Sequence, residues 1–353
     1  LPEVSLLVAN EVMRNRSQVL AENLIKWGHP EVVVTNNDPA NFTDLTHLFD
    51  VILTDVPCSG EGMFRKDQVA VDEWSLENVD ICWKRQRRIL ADIWPALKPG
   101  GILIYSTCTF NREEDEDNVA WIAKELDADV LSVPVEDSWG ITGNLTGKDF
   151  PVYRFLPHKT KGEGFFLGVL KKRADVLDET PRRFLKTSAR LDKKKKGKDA
   201  KQPLVVPKEA KAWLEDSSEY ALAMKDTNVV AFPKAYENEY ALLQQTLKVI
   251  HAGITLGEIK GKDLIPHHSL AMSTALASDA FPRAEVNYEQ AISYLRKEGL
   301  ILDADVPRGY VLLAYQGVPL GFVKNIGNRA NNLYPQEWRI RSGYLPEEVV
   351  TVF

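Results

Sequence analysis

Cysteine and long apolar runs are both scarce in this sequence of 353 residues. The three cysteines, Cys58, Cys82 and Cys108, are an odd number in a chain long enough to fold without covalent links, so we expect no disulfide framework. No uninterrupted apolar run approaches the ~18 residues of a membrane-spanning helix, and residues 1–20 carry charged side chains rather than a signal-peptide pattern. The sequence therefore predicts a cytoplasmic protein that does not enter a membrane.

The sequence also has fewer positive than negative side chains, with 44 Lys or Arg against 50 Asp or Glu. The formal net charge of -6 at pH 7 argues weakly against a nucleic-acid partner, but an average over several domains can hide a local field. Between Arg154 and Lys211 the sequence holds 18 Lys or Arg against 7 Asp or Glu, a local charge of +11. We call residues 182–196, the densest part, the basic belt. It can neutralise the phosphates of a nucleic acid, although such charge runs are equally often solvated linkers without a ligand.

The length and the hydrophobic content of 44% predict a globular protein of two or three domains. In residues 1–172, apolar strands alternate with amphipathic helices. The predicted strands are Ser5–Ala9, Val32–Thr35, Phe49–Asp55 and Gly101–Tyr105, and the predicted helices are Val12–Trp27, Ser75–Leu97 and Glu113–Leu126. This alternation is typical of a parallel sheet covered on both faces, in a doubly wound α/β domain whose ligands lie beyond the carboxyl ends of the strands.

The composition changes after this α/β domain. Residues 173–202 are rich in lysine and poor in large apolar side chains, as exposed linkers are. Beyond them, short strand-like runs and short helices predict a middle α+β module at residues 203–283. A last module, of β-barrel character, is predicted at residues 284–353.

Two of the cysteines lie directly after predicted strands. Cys58 belongs to the segment Asp-Val-Pro-Cys-Ser-Gly-Glu-Gly-Met-Phe at residues 55–64, and Cys108 belongs to Tyr-Ser-Thr-Cys-Thr at residues 105–109. Because both loops leave the carboxyl edge of the same sheet, the two thiols can converge on one pocket. A free cysteine is more commonly a small buried hydrophobe, which is what we expect for Cys82 on its helix but not for the two loop cysteines.

With these motifs the chain resembles the RNA 5-methylcytosine methyltransferases of the Sun-domain type, most closely the bacterial RsmF-like enzymes of 16S ribosomal RNA. The resemblance covers most of the chain. Besides the two cysteine loops, the matching segments are residues 85–90, 98–101, 113–114, 157–166 and 328–339. It implies a Rossmann-like class I methyltransferase domain followed by a PUA-like RNA-binding module. It also implies S-adenosylmethionine as the cofactor, and RNA, as 16S ribosomal RNA or a small-subunit particle, as the partner.

The chemistry of cytosine methylation explains why two cysteines are useful. C5 of cytosine is too weakly nucleophilic to take a methyl group until a thiolate adds at C6, and a second group must later remove the C5 proton. Spacing alone leaves open which thiol attacks. The resemblance implies that Cys108 is the nucleophile and that Cys58 assists release. Asp55 is expected to hold the N3 and N4 edge of the cytosine, with a turn-capping carboxylate as the alternative.

The resemblance also implies a set of cofactor contacts. Glu11, at the end of the first predicted strand, is expected to accept hydrogen bonds from the ribose hydroxyls, and Asp38 is expected to contact the adenine amino group. Asp55 and Pro57 complete this set. The alternative for Glu11 is a charge that stabilises the start of the next helix. Because no glycine-rich loop precedes the first predicted strand, we expect the chain as given to lack the first strand of the domain and to bind S-adenosylmethionine weakly.

RNA contacts are predicted at three places. Arg65 and Lys66 follow the first cysteine loop, and Arg182 and Arg183 begin the basic belt. The third place offers amide, guanidinium and aromatic groups suited to unstacked RNA. Its residues are Lys324, Arg329, Asn332, Tyr334, Trp338 and Arg339. For the two aromatic residues the alternative is a place in the core of the module.

We expect a monomer without a metal site, because His158 and the pair His267 and His268 lack further ligands at useful spacing. Two other functions stay open. One is a catalytically silent RNA-binding or ribosome-assembly factor that keeps the methyltransferase shell. The other is a thiol redox protein, for which the short Cys-x-x-Cys spacing is missing.

Overall fold

The computed structural model describes residues 5–174 and 205–344. Within them the chain forms sixteen β-strands and seven α-helices. The strands are β1 (Leu7–Asn10), β2 (Val32–Thr35), β3 (Phe49–Asp55), β4 (Leu97–Thr107), β5 (Ala128–Val130), β6 (Tyr153–Phe155), β7 (Phe165–Lys172), β8 (Tyr220–Lys225), β9 (Asn228–Pro233), β10 (Val249–Ala252), β11 (Ile254–Lys260), β12 (Asp263–Pro266), β13 (Arg283–Glu285), β14 (Gly309–Tyr315), β15 (Val318–Asn325) and β16 (Ala330–Asn332). The helices are α1 (Arg14–Trp27), α2 (Gln68–Glu73), α3 (Leu76–Ile93), α4 (Glu116–Glu125), α5 (Glu237–Thr246), α6 (His268–Met272) and α7 (Tyr288–Leu295). The predicted α/β class is confirmed, and each strand and helix predicted in the first half is found within a few residues of its expected bounds.

Packing divides the described residues into two compact units. One contains residues 37–174 and 245–247, and the other contains residues 5–36, 205–244 and 248–344. The sequence predicted one domain over residues 1–172, whereas this division groups residues 5–36 with the later modules. The predicted bounds of the linker and of the last two modules stay predictions.

The unit that contains residues 37–174 is organised around one five-stranded sheet. In it β3, β4, β7 and β5 are hydrogen-bonded in this order, and β6 pairs with β7. β3 and β4 are parallel, and every pair that β7 makes is antiparallel. Leu90 of α3, Ile122 of α4, and Leu103 and Phe166 of the sheet are fully buried in one apolar cluster. This core holds β3 and β4 side by side, so the ends of the two strands are fixed relative to each other.

The other unit contains three sheets. β1, β2 and β10 form the first, the order β12-β11-β9-β8 forms the second, and β13-β14-β15-β16 forms the third. The prediction that the four strands of the first half share one parallel sheet was wrong. β1 pairs in parallel with β2, and β3 with β4, but the two pairs lie in separate sheets, in which β10 hydrogen-bonds to the second edge of β2 and β7 to the second edge of β4.

No helix in residues 5–174 or 205–344 has the length and apolar character that crossing a bilayer requires. The cytoplasmic location stays a prediction.

Candidate active site

β3 and β4 end next to each other, and the loops that follow them are in contact. We call residues 56–64 the Pro-Cys loop and residues 108–115 the Thr-Cys loop. Asp55, the last residue of β3, is in register with Ser106 of β4. Beyond that point, the amide of Gly62 donates a hydrogen bond to the carbonyl oxygen of Cys108 at 2.7 Å. Parallel pairing thus brings together two loops that are far apart in sequence.

The thiols of Cys58 and Cys108 lie in direct contact. Their Sγ atoms are 2.8 Å apart, and both side chains are half-buried. Both thiols are free, as is that of Cys82, which is buried on α3. Burial raises the pKa of the Cys82 thiol, as expected for a small buried side chain. The structure therefore brings the two loop cysteines together and keeps the third apart; their catalytic roles stay predictions.

The two thiols in contact differ in how readily they lose a proton. The hydrogen bond from Cys58 lowers the pKa of Cys108, against the opposing effects of burial and of the charges on Asp55 and Glu114. The pKa of Cys58 is raised, chiefly by its hydrogen bond to Cys108 and then by burial and by the charge of Cys108. The arrangement favours a Cys108 thiolate that accepts a hydrogen bond from the Cys58 thiol.

Glu61 of the Pro-Cys loop is a buried carboxylate that binds the Thr-Cys loop. Its Oε2 accepts hydrogen bonds from the Thr109 hydroxyl at 2.6 Å and from the Phe110 amide at 2.6 Å. The same oxygen accepts the amide of Asn111 at 3.0 Å. Its Oε1 accepts the indole N–H of Trp74 at 3.0 Å. All of these partners are donors, which is the environment that an ionised carboxylate requires.

Glu114 of the Thr-Cys loop in turn binds the Pro-Cys loop. It is fully buried, and its Oε2 accepts hydrogen bonds from the amide of Ser59 at 3.1 Å and from Nε2 of Gln86 at 2.6 Å. Sequence reasoning missed both glutamates. For Glu61 the sequence offered one signal, the only acidic side chain in the Pro-Cys loop, whereas the Thr-Cys loop has three acidic side chains and nothing singles out Glu114 among them.

Arg154 of β6 lies almost completely buried beside two further carboxylates. Its Nη1 is 3.1 Å from Oδ2 of Asp115, and its Nε donates to Oε1 of Glu116 at 2.8 Å. Its Nη1 also donates to the carbonyl oxygen of Phe110 at 3.0 Å. Burial raises the pKa of Asp115, and Arg154 partly opposes this. These ionic contacts hold the end of the Thr-Cys loop where it joins α4.

Three of the predicted cofactor residues lie in the unit that carries the two thiols. Asp55 and Pro57 are exposed, at the end of β3 and in the loop after it. Asp38 is exposed and caps a short helical turn, where its Oδ1 accepts the amide of Ala40 at 3.0 Å. The same oxygen is 3.5 Å from Nη1 of Arg88.

Glu11, the fourth predicted cofactor residue, stabilises the start of α1. Its Oε1 accepts the amide of Met13 at 2.8 Å, and its Oε2 is 3.2 Å from Nε of Arg16. This is the alternative that the sequence left open for it. Contact of Glu11 with a ribose stays a prediction. It would require the carboxylate to give up its contacts with the Met13 amide and Arg16.

Two of the predicted RNA contacts, Arg65 and Lys66, are exposed directly after the Pro-Cys loop. Nη1 of Arg65 donates to the carbonyl oxygen of Gly162 at 3.4 Å, and Nζ of Lys66 is 3.4 Å from Oε1 of Glu163. Both cations are therefore exposed while they contact residues 162 and 163, and their contact with RNA stays a prediction. Arg182 and Arg183 of the basic belt lie outside the described residues.

The C-terminal candidates divide into exposed cations and packed side chains. Arg329 and Arg339 are exposed. Lys324 is 3.3 Å from Oδ2 of Asp263 and lies over the ring of Tyr310, 5.2 Å from its centroid. The two arginines are the members of the set with the freest access to a phosphate.

Asn332, Tyr334 and Trp338 contact other residues of the unit that contains them. Asn332 Nδ2 donates to the carbonyl oxygens of Tyr294 at 2.8 Å and Glu298 at 2.9 Å. Tyr334 is 6% exposed, and its ring centroid is 5.1 Å from that of His268. Trp338 is half-buried, with its ring 5.2 Å from the same histidine. Packing favours the core alternative for Tyr334, and the RNA contacts of all three stay predictions.

Residues 5–174 and 205–344 contain no group of three or more His, Cys, Asp or Glu side chains arranged to hold a metal ion. The expectations of a metal-free and monomeric protein stay predictions.

Comparison with known protein families identifies the class of protein to which the chain belongs. Residues 1–171 match a family model described as 16S rRNA methyltransferase RsmB/F, and residues 281–340 match one described as the methyltransferase RsmF PUA domain. The chain therefore carries a methyltransferase domain of the RsmB/F family followed by a PUA domain.

Comparison with curated relatives identifies the family within this class. The chain is 32% identical over 342 residues to ribosomal RNA small subunit methyltransferase F of Klebsiella pneumoniae (strain 342), covering 96% of this chain and 69% of that protein. It is equally similar to the same protein of Enterobacter sp. (strain 638), with 32% identity and coverage of 96% and 68%. The chain belongs to the ribosomal RNA small subunit methyltransferase F family. Among solved structures, NSun6 from Pyrococcus horikoshii with SFG is 27% identical, with a TM-score of 0.41, over 48% of this chain and 41% of that chain.

Proposed function

We propose that this protein transfers a methyl group from S-adenosylmethionine to C5 of a cytosine in 16S ribosomal RNA, through a covalent bond between Cys108 and C6. The observation that carries this proposal is the 2.8 Å contact between the Sγ atoms of Cys58 and Cys108. Membership of a family named for ribosomal RNA small subunit methylation supports the choice of substrate.

Cys108 is suited to attack because its pKa is the lowered one of the pair. Its thiolate adds to C6, and the electrons of the C5–C6 double bond move toward C5. Asp55, exposed at the end of β3, is suited to hold the N3 and N4 edge of the ring by accepting a hydrogen bond from the N4 amino group. The cofactor, when bound, supplies a methyl group on a positively charged sulfur, which the electron-rich C5 can accept.

Cys58 is suited to complete the reaction because its proton affinity depends on Cys108. While Cys108 is a free thiolate, its hydrogen bond and its charge raise the pKa of Cys58. Once the Cys108 sulfur is bonded to carbon, both effects are lost, and Cys58 can release its proton to solvent. The Cys58 thiolate then removes the proton from C5, the double bond re-forms, and Cys108 leaves as a thiolate.

The residues present fit S-adenosylmethionine in part. Asp38 and Asp55 have exposed carboxylates that can accept hydrogen bonds from amino or hydroxyl groups, and Pro57, two residues after Asp55, is an exposed apolar side chain. We propose these three as cofactor contacts. Glu11 supports the cofactor site less well, since its carboxylate already binds the Met13 amide and Arg16.

RNA must present the target base outside a helix, because a thiolate cannot reach C6 of a stacked base. Arg65 and Lys66 are suited to hold the phosphates that flank an extruded cytosine. Arg329 and Arg339 are suited to further phosphates of the RNA backbone, where contacts position the RNA without specifying its sequence.

The test is methyl transfer to 16S ribosomal RNA and to small-subunit particles, with tritiated S-adenosylmethionine and three alanine variants. Cys108→Ala should abolish transfer. Cys58→Ala should accumulate a protein–RNA adduct that survives denaturant, because release stalls. Cys82→Ala, which changes a buried cysteine outside the pair, should stay active. Unchanged methylation in both loop variants would reject the mechanism and favour a silent RNA-binding factor.

A further inference from the structure

We propose that Glu61 and Glu114 are positioning residues that hold the Pro-Cys and Thr-Cys loops in the register in which Cys58 can donate its hydrogen bond to Cys108. The proposal rests on the proposed function only for the use to which the thiolate is put. The positioning itself is a property of the protein without RNA or cofactor.

Each carboxylate is carried by one loop and binds the other. Glu61 lies three residues after Cys58 and accepts the hydroxyl of Thr109, the residue directly after Cys108, at 2.6 Å. Glu114 lies in the Thr-Cys loop and accepts the amide of Ser59, the residue directly after Cys58, at 3.1 Å. Each glutamate therefore holds the neighbour of the cysteine on the opposite loop.

The two carboxylates are joined through one side chain. Nδ2 of Asn111 lies 3.1 Å from Oε1 of Glu61 and 2.8 Å from Oε1 of Glu114. The amide reduces the repulsion between two like charges that face the same loop interface. Gln86 of α3 adds a further donor to Glu114 and also donates to the carbonyl oxygen of Pro57 at 3.1 Å. The network thus continues up to the residue before Cys58.

Burial makes these contacts hard to replace. Glu61 is 7% exposed and Glu114 is 0% exposed, so water cannot readily take over a donor that loses its acceptor. Glutamine at either position would replace one acceptor oxygen by an NH2 group, and this group would face a donor whichever way the amide is turned, because both oxygens of each carboxylate accept hydrogen bonds. The loops would then have to separate, and the 2.8 Å contact of the thiols would be lost with them.

Glu61 and Glu114 affect the pKa of Cys108 in two ways, and these have opposite signs. As negative charges, they oppose formation of the thiolate; the charge of Glu114 raises the pKa of Cys108. As positioning groups, they maintain the hydrogen bond from Cys58, which lowers it. Neutralising a glutamate shows which effect dominates, because charge alone predicts easier ionisation of Cys108 and positioning predicts harder ionisation.

The experiment is alkylation of the chain by iodoacetamide over a range of pH, with mass spectrometry of the peptides that carry each cysteine. For Glu61→Gln and Glu114→Gln we expect the inflection of Cys108 alkylation to move up by about one pH unit, which slows the reaction at pH 7 roughly tenfold. Protection of the buried Cys82 in the same sample reports that the fold is intact. An inflection that stays in place or moves down would overturn the proposal.

Trp74→Phe is the matched control, because it removes a donor to Glu61 that comes from outside both loops. It should move the inflection much less than Glu61→Gln, and an equal shift would contradict positioning across the loops. If neither glutamine variant folds, Thr109→Val is measured in the same assay. This variant removes one hydrogen-bond donor across the interface of the two loops, so it should also move the inflection of Cys108 alkylation up, and an unmoved inflection would overturn the proposal. Because alkylation needs neither RNA nor cofactor, the expected shift can be observed whether or not the chain methylates RNA, so failure of the proposed function would leave the positioning role standing.

Discussion

Gly62 and Cys108 lie so close that no side chain fits between them. The Gly62 amide donates to the Cys108 carbonyl oxygen at 2.7 Å, and a Cβ atom on residue 62 would lie 2.6 Å from that same oxygen. A second neighbour, the carbonyl oxygen of Gly164, would be 3.2 Å away. Both are backbone atoms, which cannot rotate aside as a flexible side chain can. The contact of the two cysteine loops therefore depends on glycine at this position.

Gly62→Ala should separate the Pro-Cys and Thr-Cys loops. We expect a loss of about 1–3 kcal/mol in the free energy of unfolding, as for other overpacked positions, and slower alkylation of Cys108 at pH 7. Urea unfolding and peptide-resolved alkylation measure the two effects. Gly143→Ala is the control, since a Cβ there meets no atom within 4 Å. Equal behaviour of the two variants would show that the loop contact is not required.

The sequence predicted the meeting of the two thiols because that depends on a regular feature. Both cysteines follow strands of one sheet, and parallel strands end at the same edge. The helix and strand positions were predictable for a similar reason, since they depend on local apolar periodicity. The sequence did not reveal the pairing of β10 with β2, which joins residues more than two hundred positions apart.

The sequence also did not reveal which polar side chains are hydrogen-bonded within the folded protein. Asn332 was predicted to contact RNA, but it is hydrogen-bonded to the carbonyl oxygens of Tyr294 and Glu298, which only the folded chain brings near. Glu61 and Glu114 show the opposite error, since nothing in residue type separates a buried acid that organises a loop from an acid in solvent. Hydrogen-bond partners between loops follow from packing and not from periodicity.

Arg154→Met should destabilise the protein in a pH-dependent way. Removing the cation leaves Asp115 and Glu116 buried without their partner, which costs about 3–5 kcal/mol for buried pairs of this kind. Arg154 lowers the pKa of Asp115, so its loss raises that pKa further. A carboxyl with a raised folded-state pKa contributes stability below its unfolded pKa and loses it as pH rises.

The stability gap between Arg154→Met and the parent should therefore widen as the pH rises through the raised pKa of Asp115 in the parent. Urea unfolding at a series of pH values measures it. Arg173→Met, which removes an exposed cation paired with Asp127 and Asp129, should change stability little at any of these pH values. A gap of constant size would show that Asp115 does not titrate with folding.

Arg329→Ala and Arg339→Ala should each weaken RNA binding without affecting the alkylation of Cys108. If each arginine contacts one phosphate, the slope of log affinity against log salt should fall by about 0.7–1 per variant. Fluorescence anisotropy with an rRNA fragment at several salt concentrations measures this slope. Lys260→Ala, which removes an exposed cation from the end of β11, is the charge-matched control. An unchanged slope in both arginine variants would remove them from the RNA interface.

Exchange of hydrogen at C5 should report the attack of Cys108 without a methyl donor. Addition of the thiolate to C6 makes C5 basic, so C5 can take a deuteron from heavy water, and elimination after loss of the original proton returns labelled cytosine. We expect such exchange in an RNA that presents an unpaired target, and loss of exchange in Cys108→Ala. Cys82→Ala is the control and should exchange like the parent chain. The rate should fall as pH drops through the lowered pKa of Cys108, because only the thiolate adds. Exchange that persists in Cys108→Ala would mean that another group attacks C6.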